Sequence, residues 1–101
     1  MYTYVWEFAV RPELDDRFCD LYGPEGAWVA LFRQARGYVS TQLYRDQRDR
    51  HRYLTVDTWA SREAHAAFRR EFATAFAELD ARGGALTARE ELVGEFDSIE
   101  G

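Results

Sequence analysis

The chain has 101 residues, of which 47% are apolar and 16% aromatic, and its formal net charge is −5 at pH 7. This length predicts one domain over residues 1–101, and the apolar content excludes an intrinsically disordered chain. The acidic balance argues against a nucleic-acid partner, which would need a basic face. No apolar run approaches the roughly 18 residues of a membrane span, and the N-terminus lacks a signal peptide's basic leader. With Cys19 as its single cysteine, the chain is expected to be soluble and cytoplasmic.

The first half of the chain predicts a strand, two short helices and a β-hairpin. Residues 2–10 alternate between two faces, which indicates a strand that ends at Arg11-Pro12 because proline cannot donate to a sheet. A break at residues 23–26 separates two segments whose apolar residues have helical spacing. Two further strands, 38–45 and 52–59, flank a charged hairpin tip. The first strand's aromatic face consists of Tyr2, Tyr4, Trp6 and Phe8, followed by Val10.

The second half predicts one long helix and a last strand. Ser61 is a good N-cap and Glu63 favours the helix dipole, so the helix is expected to begin here and run to about Arg82. Gly83-Gly84 ends it. Residues 87–90 fit either a capping box for another turn or the approach to a strand over about 91–96. The helix carries an apolar stripe formed by Ala64, Phe68, Phe72, Ala75, Phe76 and Leu79.

The order β-α-β-β-α-β is the pattern of a ferredoxin-like α+β sandwich. Two helices can cover only one face of a four-stranded sheet, yet the first and third strands carry apolar residues on both faces. Val5 opposes Trp6 on the first strand, and Val56 and Leu54 oppose Tyr53 on the third. An apolar face of this kind is more than a soluble monomer usually exposes. A second copy packed sheet to sheet would cover it, which predicts a homodimer.

Three segments resemble the antibiotic biosynthesis monooxygenase family. They are the first strand from Val5 to Pro12, the run Leu31-Phe32-Arg33 leading to Gly37-Tyr38, and the third strand with the helix start, Tyr53 to Ala64. The resemblance implies a single domain of this family that forms a dimeric α+β barrel, with a cavity between the sheet and the helices. Members include cofactor-independent oxygenases that act on aromatic polyketides and quinols, and haem-degrading enzymes. Fold alone does not choose among these reactions.

Three residues are candidates for chemistry. Trp59 ends the third strand where the family's tryptophan lines the cavity, so its indole would orient a flat substrate; alternatively it anchors the core or the dimer interface. His65 could accept a phenolic proton or donate to an oxyanion, unless it is an exposed helix residue. Asp57 shares the face of Trp59 and would be a base if that face lines the cavity. A carboxylate more commonly lies in solvent or at a dimer interface, paired with an arginine.

The other residues considered are the second histidine and the aromatic residues expected to line the cavity. His51, in the hairpin tip, is expected to be solvated. Some of the many rings should line a pocket or an interface, because one small core has little room for all of them. The expected ligand of such a pocket is a small apolar or aromatic molecule. Each of the rings taken singly fits an ordinary core position equally well. The expected lining residues are Trp6, Phe18, Trp28, Phe32, Tyr53, Phe68 and Phe72.

The sequence predicts no cofactor and no metal. The haem-degrading relatives use an asparagine on the first strand and a haem-ligating histidine well along the second long helix; here Trp6 and a position near Arg69 stand in their place. Two scattered histidines and one cysteine offer no metal-ligand cluster, and no glycine-rich loop indicates a nucleotide or flavin. The resemblance therefore suggests a cofactor-independent monooxygenase acting on a small aromatic or quinol substrate. The alternatives are a non-catalytic module that binds an apolar metabolite and a purely structural dimer.

Overall fold

The computed structural model describes residues 1–99. A 3-10 turn at Pro12–Leu14 follows the first strand, because proline at the first helical position loses no hydrogen bond. The elements in chain order are β1 Tyr2–Val10, α1 Asp15–Tyr22, α2 Ala27–Phe32, β2 Tyr38–Arg45, β3 Arg52–Trp59, α3 Arg62–Glu71, α4 Ala73–Gly84 and β4 Thr87–Asp97.

The four strands form one antiparallel sheet in the order β2-β3-β1-β4, with the helices packed on one side. The predicted ferredoxin-like α+β fold is therefore confirmed. The register aligns Asp57 with Tyr4 on β1 and with Thr41 on β2. On the far side of β1, Tyr4 aligns with Glu95 and Phe8 with Glu90. Because aligned residues share a face, these side chains all lie on the helical side of the sheet.

An aromatic layer fills the space between the sheet and the helices. Burial alternates along β1 and β3, as expected for strands with only one covered face. Phe18 and Tyr22 on α1 stack at 4.4 Å between ring centroids and pack against Phe8. The most deeply buried large side chains are Trp59, Tyr53, Phe18 and Phe68.

Trp59 occupies the centre of this layer and is fully buried. Four rings surround its indole at centroid distances of 5.0 to 5.5 Å, and they come from α2, β2 and α3. Aromatic pairs at such distances each stabilise the fold by about 0.5–1.5 kcal/mol beyond the area they bury. Trp59 thus joins β3 to three other elements. The four rings belong to Phe32, Tyr38, His65 and Phe68.

Two of the predicted boundaries were wrong. The long helix is interrupted at Phe72, whose φ of −111° and ψ of 30° leave the helical region, so α3 and α4 are separate helices. The break lets the chain bend around the sheet, with Phe68 and Phe76 packed against the core on either side of it. The last strand begins at Thr87 and not near residue 91, because residues 87–90 pair with β1 across a bulge and form no extra helical turn. Ser61 is the N-cap as predicted, accepting from the Ala64 N–H at 3.0 Å.

The other face of the sheet carries no helix. Val5 aligns with Val56 near its centre, and both are partly exposed, as is Leu54. Tyr44 and Phe96, toward the sheet's two edges, are each about half exposed. Within residues 1–99, no helix has the length and apolar character needed to cross a membrane.

Gly37 supplies the turn into β2, and an alanine at this position should destabilise the fold. Its φ is +87°, and an added Cβ would lie 2.6 Å from the Cβ of Ala64 on α3. We expect Gly37→Ala to lower the free energy of unfolding by about 1–3 kcal/mol, measured by urea denaturation. Gly84→Ala is the control, because nothing lies within 4 Å of its added Cβ and helical alanine is favoured by about 0.5–1 kcal/mol. Equal effects of the two substitutions would contradict the assigned turn.

Candidate functional site

A cavity of about 260 Å³ lies between the sheet and the helices. Its volume is just below the usual range of small-molecule sites, about 300–1,000 Å³, so it limits the ligand to a small molecule. Eight of the seventeen lining residues are Phe, Tyr or Trp, eight are polar or charged, and one is leucine. The lining residues are Tyr2, Tyr4, Trp6, Phe8, Tyr22, Trp28, Phe32, Thr41, Thr55, Asp57, His65, Arg69, Phe76, Asp80, Glu90, Leu92 and Glu95.

Asp57 is the buried carboxylate of this cavity, with 6% of its surface exposed. The Thr41 hydroxyl donates to Asp57 Oδ1 at 2.5 Å, and the Tyr38 hydroxyl donates in turn to Thr41 at 2.8 Å. No donor among residues 1–99 forms a hydrogen bond with the other carboxylate oxygen, Oδ2. The Asp57 side chain lines the cavity. The arrangement predicted as more common, an exposed or arginine-paired Asp57, is therefore not the one found. The reason is the strand register, which places Asp57 on the helical side of β3.

Burial raises the pKa of Asp57 to about 6, because the low-dielectric surroundings disfavour the charged form. The hydrogen bond from Thr41 acts in the opposite direction, since it stabilises the carboxylate. The net result is a carboxyl group that is mostly ionised at neutral pH and yet basic enough to take up a proton. A general base is most effective when its pKa lies near the working pH.

Tyr4 and Trp59 form the second polar feature of the site. The Trp59 indole Nε1 donates to the Tyr4 hydroxyl oxygen at 3.3 Å, which satisfies a fully buried N–H. The Tyr4 hydroxyl proton has no acceptor among residues 1–99, so it is available to a ligand in the cavity. Burial and the nearby charge of Asp57 raise the pKa of Tyr4 well above its usual value, which keeps the phenol protonated as a donor.

His65 packs its ring 4.8 Å from Tyr4 and 5.1 Å from Trp59, measured between centroids. Burial, together with the positive charge of Arg69 one turn along α3, lowers its pKa to about 4. The imidazole is therefore neutral at physiological pH and can donate one hydrogen bond without carrying charge. Arg69 also lines the cavity, and its guanidinium lies 3.8 Å above the Phe76 ring.

Glu95 lines one side of the cavity. The Tyr2 hydroxyl donates to Glu95 Oε1 at 2.6 Å, and Arg62 donates to the same oxygen at 3.0 Å. Burial and this carboxylate together raise the pKa of Tyr2 to about 12. The three side chains join the ends of β1, β4 and α3.

Five of the ten residues singled out in the sequence line the cavity, namely Trp6, Trp28, Phe32, Asp57 and His65. Trp59 lies one layer behind the wall, because α2 and α3 close over it at the end of β3. Phe18 and Tyr53 lie in the closed core at the opposite end of β3, where they pack against each other at 4.9 Å. Phe68 and Phe72 also pack in the core, stacked at 5.6 Å.

Several lining residues were not singled out from the sequence. Tyr2, Tyr4 and Phe8 share a face of β1 with Trp6, so the alternation that placed Trp6 could have indicated them as well. Asp80, Glu90 and Glu95 carry no such pattern, because their position depends on where α4 and β4 begin. His51, expected in solvent, is half exposed and its Nδ1 lies 2.9 Å from Asp15 Oδ2, far from the cavity. Within residues 1–99, no three His, Cys, Asp or Glu side chains are grouped as a metal site would require.

The fold and the cavity define a class of small α+β proteins in which helices cover one face of an antiparallel sheet. Residues 1–78 match the family model described as antibiotic biosynthesis monooxygenase, and the chain belongs to that family. No curated protein sequence matches the chain.

Solved structures share this fold over nearly the whole chain. SnoaB, a cofactor-independent oxygenase from Streptomyces nogalater, is 22% identical with a TM-score of 0.68, covering 99% of this chain and 94% of its own. A structure of an antibiotic biosynthesis monooxygenase is 19% identical with a TM-score of 0.71, covering 99% and 100%. A conserved protein from Methanosarcina mazei Go1 is 14% identical with a TM-score of 0.72, covering 94% and 89%. At these identities the likeness is one of fold.

Removing the hydrogen bond from Thr41 should raise the pKa of Asp57. A hydrogen bond to a charged group contributes about 1.5–3 kcal/mol, which corresponds to about one to two pKa units. We expect Thr41→Val to shift the Asp57 titration upward by about that amount, followed by carbon-13 NMR of the carboxyl group. Thr41→Ser keeps the hydroxyl and should leave the titration near its starting value. A downward shift in the valine variant would show that Thr41 does not stabilise the carboxylate.

Proposed function

We propose that this protein is a cofactor-independent monooxygenase acting on a small hydroxylated aromatic or quinol-type substrate. One observation carries the proposal: a buried carboxylate, Asp57, lines a cavity rich in aromatic residues, and one of its oxygens accepts no hydrogen bond from residues 1–99. A purely structural dimer has no need for a cavity, and a passive binding site for an apolar metabolite has no need for a buried base. Membership of the family and the fold shared with SnoaB support the same reaction class.

In the proposed reaction the substrate supplies the electrons. Asp57 removes a proton from an activated C–H or O–H of the reduced aromatic molecule, and the resulting anion transfers one electron to O₂. The substrate radical and superoxide then combine to form a peroxide bond to carbon. Protonation of the peroxide and loss of water leave a new C=O group, so that an anthrone CH₂ and O₂ become a quinone carbonyl and H₂O. One oxygen atom enters the product, and no other reductant is required.

The other polar groups would stabilise the anions of this reaction. The uncharged Tyr4 hydroxyl would donate a hydrogen bond to the substrate anion. Because this hydroxyl also accepts a hydrogen bond from the Trp59 indole, it is a stronger donor. Neutral His65 offers a second donor beside Tyr4. Preorganised donors in a site that excludes water cost no reorganisation when charge develops. Trp59 acts here as a positioning residue, behind Tyr4 and His65.

Asp57→Asn should remove most of the activity. With a panel of hydroxylated anthrones and naphthoquinols, we expect wild-type protein to accelerate oxygen uptake, and the variant to be slower by about 10²–10⁴. Because the base must be ionised, wild-type activity should rise with pH through the Asp57 pKa of about 6. Asp16→Asn, at an exposed position on α1, removes the same charge away from the cavity and should retain full activity. Oxygen uptake is the measurement.

Binding without turnover would favour the alternative function. If members of the panel raise the melting temperature but none raises oxygen uptake above the buffer control, the protein is a binding module. Equal activity in Asp57→Asn and wild type would assign the base to another group.

We also propose that the chain forms a homodimer through the uncovered face of its sheet. Val5, Leu54 and Val56 lie partly exposed on this face, and Phe96 extends it toward β4. Packing this face against a second copy would remove the apolar surface from water, at about 25 cal/mol per Å² buried. An isologous pairing needs only one such patch.

A charge at the centre of this face should separate the subunits. We expect light scattering after size exclusion to give the mass of two chains for the wild type and of one chain for Val56→Arg. Burial of an unpaired guanidinium opposite its own copy is strongly unfavourable. Ala30→Arg, at an exposed position on α2, should remain dimeric. A monomeric wild type at micromolar concentration would rule the interface out.

A further inference from the structure

The exposed part of the cavity lining forms its mouth. Five lining residues are exposed, and we call them the rim: Arg69 on α3, Asp80 on α4, and Glu90, Leu92 and Glu95 on β4. The remaining lining residues are buried or partly buried. A ligand that enters the cavity therefore passes between β4 and the two helices α3 and α4.

The rim has three carboxylates and one cation, and only one of the carboxylates forms an ion pair within residues 1–99. Glu95 is paired with Arg62 at 3.0 Å. No ion pair among residues 1–99 involves Asp80 or Glu90, and Arg69 is stacked on Phe76 without a carboxylate partner. The pKa of Glu90 is raised by burial and also by the charge of Asp80, so the two carboxylates lie close enough to repel each other.

A second negative charge lies on the buried Asp57, in the row that also contains Tyr4 and Glu95. Asp57 is aligned with Tyr4 and Glu90 with Phe8, four residues further along β1, so the two carboxylates belong to rows about 13 Å apart. The row between them consists of Thr55, Trp6 and Leu92 and carries no charge. A ligand in the cavity thus has carboxylate acceptors at both ends and an apolar middle.

We infer that the cavity selects hydroxylated aromatic ligands that carry no anionic group, and that Asp80 and Glu90 are the residues that reject anionic ones. The inference rests on the proposed function for the choice of aromatic ligand. Carboxylates only accept hydrogen bonds, so hydroxyl groups satisfy both ends of the cavity. A carboxylate on the ligand would face Asp80 and Glu90 at the mouth and the buried Asp57 inside, where water screens charge poorly. Arg69 is the one cation among the lining residues in the described part of the chain, and the four lining carboxylates Asp57, Asp80, Glu90 and Glu95 outnumber it.

The test compares two ligands that differ mainly in charge, a hydroxynaphthoic acid and its methyl ester. Their dissociation constants at pH 7.5 are measured by isothermal titration calorimetry, in the absence of any turnover assay. We expect the wild type to bind the ester at least about tenfold more tightly than the acid. In the double variant Asp80→Asn/Glu90→Gln this preference should fall to about threefold or less, with most of the change in binding of the acid.

The matched control is Glu78→Gln/Glu91→Gln. It removes two carboxylates from the same helix and the same strand, at exposed positions that do not line the cavity. We expect it to keep the wild-type preference, because exposed charges that lie farther away are screened over about 8 Å at physiological salt. Equal binding of acid and ester by the wild type would overturn the inference, as would equal preferences in the two double variants or no binding of either ligand.

The outcome is separable from the proposed oxygenase reaction. If the protein binds the ester preferentially but no panel substrate raises oxygen uptake, the selectivity inference holds and the oxygenase proposal is rejected. Oxygen uptake that depends on Asp57, together with equal affinity for acid and ester, would remove the selectivity alone.

Discussion

One buried hydrogen bond, from the indole N–H of Trp59 to the Tyr4 hydroxyl, links the core to the cavity wall. Trp59 lies where β3 meets α2 and α3, and an unpaired N–H at this position would cost about 1–3 kcal/mol. The hydroxyl of Tyr4 on β1 is its acceptor, so the hydrogen bond fixes the tyrosine's position relative to the helices. His65 then packs against both rings. The same contact that stabilises the core therefore positions two of the polar groups facing the cavity.

Asp57 and His65 respond to burial in opposite directions. The folded-state pKa of Asp57, about 6, is above its unfolded value of 3.8, so this group's contribution to stability falls as pH rises from about 4 to 6. The pKa of His65, about 4, is below its unfolded value of 6.5, so its contribution rises over nearly the same interval. The two slopes largely cancel. The protein can hold both a buried acid and a buried base in one cavity without a steep dependence of stability on pH in this interval.

Local sequence patterns were sufficient to predict most of the fold. The alternation in residues 2–10 and 52–59 gave strand bounds that agree with the structure, and Ser61 marked the start of α3. The break at Phe72 was not predictable, because nothing in residues 69–74 departs from a helical pattern. The break lies where Phe68, Phe72 and Phe76 pack against the core, so it accompanies tertiary packing that a local pattern does not report. The start of β4 depends on pairing with β1 across bulges, which also has no local signal.

The site was less predictable than the fold, because residues on the same strand face can either line the cavity or be buried behind its wall. Asp57 and Trp59 lie on the same face of β3, yet the small carboxylate lines the cavity and the large indole fills the space behind it. Tyr53, on that face too, is covered by α1 through Phe18. Which of these side chains meets the cavity is decided by the helices that pack above them.

The residues that hold the core and those that surround the mouth occupy separate parts of the chain. The buried core cluster and the buried carboxylate come from residues 2–79, whereas four of the five rim residues, from Asp80 onward, lie toward the end of α4 and on an edge strand. A side chain on an edge strand has a neighbouring strand on one side only. Within residues 1–99 no side-chain hydrogen bond or ion pair involves Asp80 or Glu90, so substitutions at these two positions can change the charge of the mouth while the contacts of the core stay in place.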